Sequence, residues 1–170
     1  IDVIRSLIGA VRDAELPMPE FGDIIGAEEY PFHAQYLADS PELYDPRTRE
    51  NILAGKGVNR AEYARMINKL DQHRRTISNA FSEVDLVVLP TLPGLPMTIQ
   101  EATDPFSLNA CTFAFSIGGL PAISVPCGFS KSGLPIGLLI GGPPLSEPRI
   151  LALAAAYEKA AGWEKRRPLL

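Results

Sequence analysis

Apolar side chains recur at three- and four-residue intervals from the start of the chain, where Val3, Ile4, Leu7, Ile8 and Val11 share one helical face. The spacing predicts a helix over 2–15, closed at Leu16-Pro17-Met18-Pro19 because proline disfavours helical geometry in the residue before it. A second helical pattern covers 22–38 through Ile24, Ala27, Tyr30 and Leu37, with Pro31 expected to kink it or mark a boundary. Asp45-Pro46 reads as a cap with proline in the first turn of a short helix over 46–54. The strongest helix is expected over 60–82. Asn59 and Glu62 form a capping-box pair at its start, and Ile67, Leu70, Ile77 and Phe81 mark its buried stripe.

The pattern then changes from periodic to continuous. Asp85–Thr91 is an apolar run closed by proline, and Leu120–Pro126 and Gly137–Gly141 are two more. Such runs predict strands buried on both faces, in a parallel or mixed sheet, with Val87, Leu89, Ile123, Val125 and Leu139 in the core. A last helix starts at a Ser146 cap and ends near Ala161. Helices before and between the strands make the fold class α/β.

Charge sharpens this division. Residues 1–85 carry 10 basic and 15 acidic side chains, whereas Leu86–Leu145 carry three charges, Glu101, Asp104 and Lys131. The charge-poor stretch also holds nine of the 16 prolines and eight of the 14 glycines, which suits buried strands and tight turns under a helical cover. A net charge of −4 without a basic stripe argues against nucleic acid as a partner. No apolar run is long enough to span a membrane. Cys111 and Cys127 form neither a disulfide framework nor a metal site, and fit a reducing, cytoplasmic compartment. The chain opens on Ile1 with helix-like sequence, which raises the expectation of a fragment.

The sequence offers little self-contained chemistry. It has no Gly-rich phosphate loop, no Gly-x-Ser-x-Gly elbow and no His-Glu-x-x-His. His33 and His73 fall on predicted helices and read as surface or capping residues. Cys127, at a strand end before Gly128, reads as a buried thiol with nothing to stabilise a thiolate. The adjacent Glu28 and Glu29 point in different directions on a helix and make no acid–base pair.

Four ordered blocks carry a resemblance: Asp85–Thr91, Gly119–Phe129, Gly133–Leu138 and the Glu147–Glu158 helix. Together they resemble the C-terminal part of the amidase-signature family, and Ala27–Tyr30 and Arg49–Gly55 are similar to its middle region. The resemblance implies one domain part over 1–170, with helical cover over 1–84, buried strands and turns over 85–145 and a closing helix over 146–162. It implies hydrolysis of carboxylic amides to an acid and ammonia or an amine by a serine nucleophile, a second serine in a cis-peptide and a lysine base, with no cofactor or metal.

Those three residues belong to a Gly/Ser-rich tract absent from this sequence, so no catalytic residue is carried over. What the resemblance implies here is pocket shape, with Thr112 and Phe113 facing substrate in the Asn109–Gly118 segment and Asn51 as a third candidate. Phe113 and Phe115 read equally as core residues, and Thr112 as a helix-packing residue. The resemblance implies that the family's glutamine-using glutamyl-tRNA amidotransferases carry an acidic residue where Thr112 stands and an arginine close to Asn51. These charges hold the zwitterionic end of glutamine, with Arg49 as the residue that could restore the second charge. Uncharged Thr112 and Asn51 therefore imply a general amidase, with a fragment of such an amidotransferase and a non-catalytic binding or scaffold domain as alternatives. The partners implied are a small-molecule amide, an N-terminal half carrying the catalytic tract, and a second copy of the chain where apolar sheet surface is left uncovered.

Overall fold

A computed structural model describes residues 1–17, 24–102 and 105–163, with the backbone alone at 105–107. The helices are α1 (Asp2–Leu7), α2 (Ile24–Asp39), α3 (Pro46–Ala54), α4 (Arg60–Ala80), α5 (Pro105–Gly118) and α6 (Glu147–Ala161). The strands are β1 (Val87–Pro90), β2 (Ala122–Phe129) and β3 (Pro135–Gly141). Contacts divide the chain into two compact units, Glu20–His73 and the remainder, the division falling inside α4.

The Glu20–His73 unit is helical. Asp45 caps α3 by accepting from the Arg47 and Thr48 amides at 3.0 and 3.2 Å, with Pro46 in the first turn as its missing N–H allows. The capping box forms as its spacing predicts. Asn59 Oδ1 accepts from the Ala61 and Glu62 amides, and Glu62 Oε2 accepts from the Asn59 amide, all at 3.0 Å. A Cβ on Gly55 would collide with the backbone of Gly26 and Ala27, so two bare glycines let α2 and α3 touch. Helix α2 continues through Pro31 without a break. Packing on α3 and burial of Ile24, Ala27 and Leu37 outweigh the local cost of about 3 kcal/mol for an interior proline. The Met18–Pro19 break and the first two residues of the second predicted helix lie outside the described residues.

The other unit contains the sheet, in the order β1-β3-β2. The α/β class stands, but all the described pairings are antiparallel, which corrects the parallel reading of the apolar runs. Continuous apolar sequence reports burial on two faces, not strand direction. Direction is set by the β2–β3 connection, a tight turn in which the Ser130 amide donates to Leu134 O at 2.8 Å and Gly133 adopts φ +83°. A turn this short can join antiparallel strands alone.

Alternation gives the sheet two faces. Val88, Ile123, Val125, Leu138 and Ile140 lie in one apolar cluster with Ile4 of α1 and Ile150, Leu153, Ala154 and Tyr157 of α6. Val87, Leu89 and Leu139 lie in the other, with Ile77, Phe81, Ala114, Phe115 and Leu120. Of the five expected core residues Val125 and Leu139 are buried, while Val87, Leu89 and Ile123 are half-buried. The three exceptions sit on β1 and β2, the outer strands, which have a neighbour on one side among the described residues.

Three further expectations are corrected. The first helix ends at Leu7, with Ile8 already extended and Gly9, a poor helix former, next to it. Val11 and Leu16 still face apolar cores, but from irregular chain, so their helical spacing is satisfied by tertiary packing. Ser146 precedes α6 without capping it by side chain. Its hydroxyl donates to Pro143 O at 2.6 Å, and its carbonyl accepts the Arg149 and Ile150 amides. Finally, residues 92–101 are charge-poor yet exposed, because Pro93, Gly94 and Pro96 keep them out of any element that could bury one face. No helix among the described residues is long and apolar enough to cross a membrane.

Candidate functional site

The second sheet face changes along β3. Gly141, Leu139 and Gly137 are alternate residues and so point the same way. At Gly141 the ring of Phe115 occupies the space a Cβ would need. Leu139 is covered within the Phe115 cluster. At Gly137 the helical cover has ended, and a Cβ would instead meet Thr91 Oγ1 at 2.6 Å and Ser124 Oγ at 2.8 Å. Those hydroxyls hydrogen-bond each other at 2.5 Å across the bare glycine. Above them opens a cleft of about 330 Å³ lined by Thr91, Leu95, Pro96, Ser124, Ile136 and Gly137 among others, with no charged side chain among the described residues that line it.

The elements that build this cleft are held by local chemistry. The Thr91 amide donates to Gly137 O at 2.9 Å and carries the β1 ladder one residue past Pro90. A β-bulge between Pro126 and Gly128 leaves Cys127 without a partner opposite, beside the cleft residue Pro126. Glu101 receives the Thr98 amide at 2.9 Å and the Thr98 hydroxyl at 2.8 Å, closing the loop that follows the cleft. These two donors hold the Glu101 carboxyl below its ordinary pKa.

The two Gly-Leu-Pro blocks do different work. Gly119 ends α5 in the left-handed region at φ +65°. Its amide donates to Ser116 O at 3.3 Å and that of Leu120 to Phe115 O at 2.9 Å, the pair of bonds of a Schellman motif. Leu120 is buried under this turn, and Pro121 leads into β2. In Gly133-Leu134-Pro135 the glycine instead closes the β2–β3 hairpin. Arg74 of α4 donates from Nε to Ile117 O at 3.1 Å, a cation on the terminal carbonyls of α5.

Thr112 and Phe113 are adjacent on α5 and half-buried. Thr112 Oγ1 donates to Asn109 O at 3.0 Å and Ser116 Oγ to Thr112 O at 3.3 Å, so both hydroxyls are engaged along the helix. Among the described side chains of α5 the deeply buried ones are their neighbours Ala114 and Phe115. Asn51 is exposed on α3 of the helical unit. Sequence patterns did not single out Thr91, Ser124 or Gly137. The available signal was Ser124, a hydroxyl interrupting an apolar strand.

The histidines, the cysteines and Glu28 lie outside this cleft lining. His33 Nδ1 lies 2.8 Å from the Tyr44 hydroxyl, its ring edge-on to Tyr44. His73 Nε2 is buried with no hydrogen-bond partner among the described residues, and burial lowers its pKa. Burial raises both thiols, Cys111 and Cys127, away from reactivity. Glu28 accepts from Tyr63 Oη at 2.9 Å, which pushes the phenol up, and makes no acid–base pair with Glu29. No cluster of three or more His, Cys, Asp or Glu side chains able to hold a metal occurs among the described residues.

Comparison with known proteins places this architecture. Residues 20–151 match the Amidase family. The A-type polypeptide of the glutamyl-tRNA(Gln) amidotransferase of Thermodesulfovibrio yellowstonii is 40% identical over 144 residues, 79% of this chain and 30% of that protein. Its counterpart in Brevibacillus brevis is 36% identical over 142 residues, 78% of this chain and 29% of that protein. A 6-aminohexanoate cyclic dimer hydrolase superposes with a TM-score of 0.73 at 25% identity, over 86% of this chain and 34% of that one. A bacterial aryl acylamidase of the amidase-signature enzymes shares the fold, with a TM-score of 0.76 at 21% identity, over 99% of this chain and 41% of that one. The fold is thus that of amide-hydrolysing α/β enzymes, and the chain belongs to the amidase-signature family. It spans about 30% of the length of the curated relatives it matches.

Proposed function

We propose that the chain is the C-terminal, pocket-shaping part of an amidase that hydrolyses carboxylic amides to acid and ammonia or amine. The observation that supports this most is the family match over 20–151 together with a sheet face that is packed at Gly141 and open at Gly137. In this reading the Gly/Ser-rich tract supplies the nucleophile from outside the 170 residues, and α5 supplies pocket wall through Thr112 and Phe113. Asn51, on α3 of the helical unit, is the third residue proposed for substrate choice. Uncharged Thr112 and Asn51 favour simple amides over glutamine, whose two charged groups need ionic partners.

A second reading is favoured by the curated relatives, since the glutamyl-tRNA(Gln) amidotransferases reach 40% identity. Substrate choice separates the two. Joined to a family catalytic half bearing the Gly/Ser-rich tract, the chain should release ammonia from simple amides and leave glutamine untouched. Preferential turnover of glutamine would select the amidotransferase reading, and no turnover of any amide would select a binding domain. The chain alone should be inactive. Turnover by it that a serine-directed phosphonate stops would reveal a nucleophile of its own.

A further inference from the structure

We infer that the outward stripe of α2 is a docking surface for an amphipathic helix of a partner protein that carries Lys or Arg beside its apolar side chains. The inference goes beyond the amidase reading and does not depend on it. Ile24, Ala27 and Leu37 are the buried side chains of α2. Glu28, Glu29, Phe32, Tyr36 and Asp39 recur at three- and four-residue intervals and form a separate stripe along the same helix. All five are exposed, Phe32 at 72% and Tyr36 at 60%. Aromatic rings in the middle with carboxylates at both ends is the anatomy of a protein interface, an apolar centre inside a polar rim.

The rings are fixed in place. Phe32 stands edge-on to His33 with centroids 5.0 Å apart, and its ring centroid is 6.4 Å from that of Tyr36. His33 Nδ1 lies 2.8 Å from the Tyr44 hydroxyl, which ties this part of α2 to the chain that follows it. Two held aromatics one helical turn apart lose little freedom on binding, and tyrosine is among the side chains that dominate interface energies. A partner helix suits them, because its surface offers holes at the same one-turn spacing.

Charge selects the partner. From Asp13 to Pro46 the sequence has no Lys or Arg, and the stripe ends in Glu28 and Glu29 on one side and Asp39 on the other. Glu28 accepts from Tyr63 Oη and Asp39 from Gln35 Nε2, each at 2.9 Å, and these neutral donors leave the carboxylate charge in place. A second copy docked through the same face would set carboxylates against carboxylates, because a two-fold contact pairs a patch with itself. An anionic lipid surface would be repelled for the same reason. A cationic helix gains at both ends of the stripe while its apolar side chains cover Phe32 and Tyr36.

The test titrates the isotope-labelled 170-residue chain with synthetic helical peptides of about four turns, read by fluorescence anisotropy and amide chemical shifts. One peptide has a Leu stripe flanked by Lys, the second the same stripe flanked by Glu, and the third Lys flanks with Ser in place of Leu. The Lys–Leu peptide should bind about 10-fold more tightly than either control and shift amides along α2. F32A/Y36A should weaken it by about 10-fold, and E29K/D39K should reverse the order so that the Glu–Leu peptide binds better. All four positions are exposed, so both variants should keep the parent's urea midpoint. E29K/D39K, which retains both rings, decides the matter where F32A/Y36A fails to fold. Equal binding of the Lys–Leu and Glu–Leu peptides, binding unchanged in both variants, or shifts that map away from α2 would overturn the assignment. Dimerisation of the chain that F32A/Y36A abolishes would give the stripe to a second copy instead. Binding to phosphatidylcholine vesicles that F32A/Y36A abolishes, without peptide binding, would give it to a lipid surface.

Discussion

The two faces of one three-stranded sheet behave differently, although the same strands make both. The face bearing Val125 and Ile140 packs against α6 and α1, and Ile140 has no exposed surface. The face bearing Gly141, Leu139 and Gly137 begins under Phe115 and ends in a cleft floored by two hydroxyls. The first face is built for stability, since large side chains interdigitate with a helix along its length. The second trades side-chain volume for access. Its two glycines do opposite things, one admitting a phenyl ring and the other leaving room for a polar pair. Strand sequence alone does not rank these faces; what lies over each residue does.

Substitutions on the two faces should separate accordingly. The largest effect is expected at Ile140, where Ile140→Ala should cost about 2–5 kcal/mol in urea unfolding. Ile123→Ala, on the same face but half-buried on an outer strand, should cost roughly 1–2 kcal/mol. Equal costs would show that β2 is not an outer strand in solution.

Next comes the glycine pair. Gly141→Ala drives a methyl into Phe115 and should destabilise by about 1–3 kcal/mol, as overpacking does. Gly137→Ala meets the Thr91 and Ser124 hydroxyls, which can rotate away, and Thr91 Cβ at 3.1 Å, and should cost less than Gly141→Ala. A G137A chain as damaged as G141A would mean that the second face is closed at both ends. Thr91→Val should be nearly neutral for stability, within about 0.5 kcal/mol, because the hydroxyl is at the surface.

The smallest effect concerns His73 of the helical unit, as a control outside the sheet. Burial lowers its pKa below the ordinary 6.5, so the unfolded chain takes up a proton that the native chain refuses. Its contribution to stability is therefore present above pH 6.5 and is lost as pH falls from there towards the lowered native value. His73→Phe should lose less stability than the parent between pH 7.5 and 5.5, about two units across that window, in urea midpoints. Parallel losses would assign the acid sensitivity to another group.

Local chemistry was legible wherever it is self-contained. Asn59 with Glu62 and Asp45 with Pro46 specify caps by side chains that reach their own helix, and these form as the spacing predicts. The ordered blocks from Asp85 to Glu158 likewise led to the family, because turns such as Gly119-Leu120-Pro121 and Gly133-Leu134-Pro135 carry their conformational requirements in the residues themselves. Pro31 and the 8–15 segment went the other way. There a local preference was outweighed or replaced by contacts with residues far along the chain.

The sequence by itself determined the starts of α3 and α4, the three apolar strands, the α/β class and the family resemblance, since each follows from side chains within a few positions of one another. Helix α5 is not among the helices expected from it. The tertiary structure alone decided the antiparallel pairing, the ranking of core residues and the cleft. Burial on two faces looks the same in sequence whichever way a strand runs. Thr91, Ser124 and Gly137 are separated by 33 and 13 positions in the chain, and only the pairing of β2 and β1 against β3 brings two hydroxyls together over one glycine.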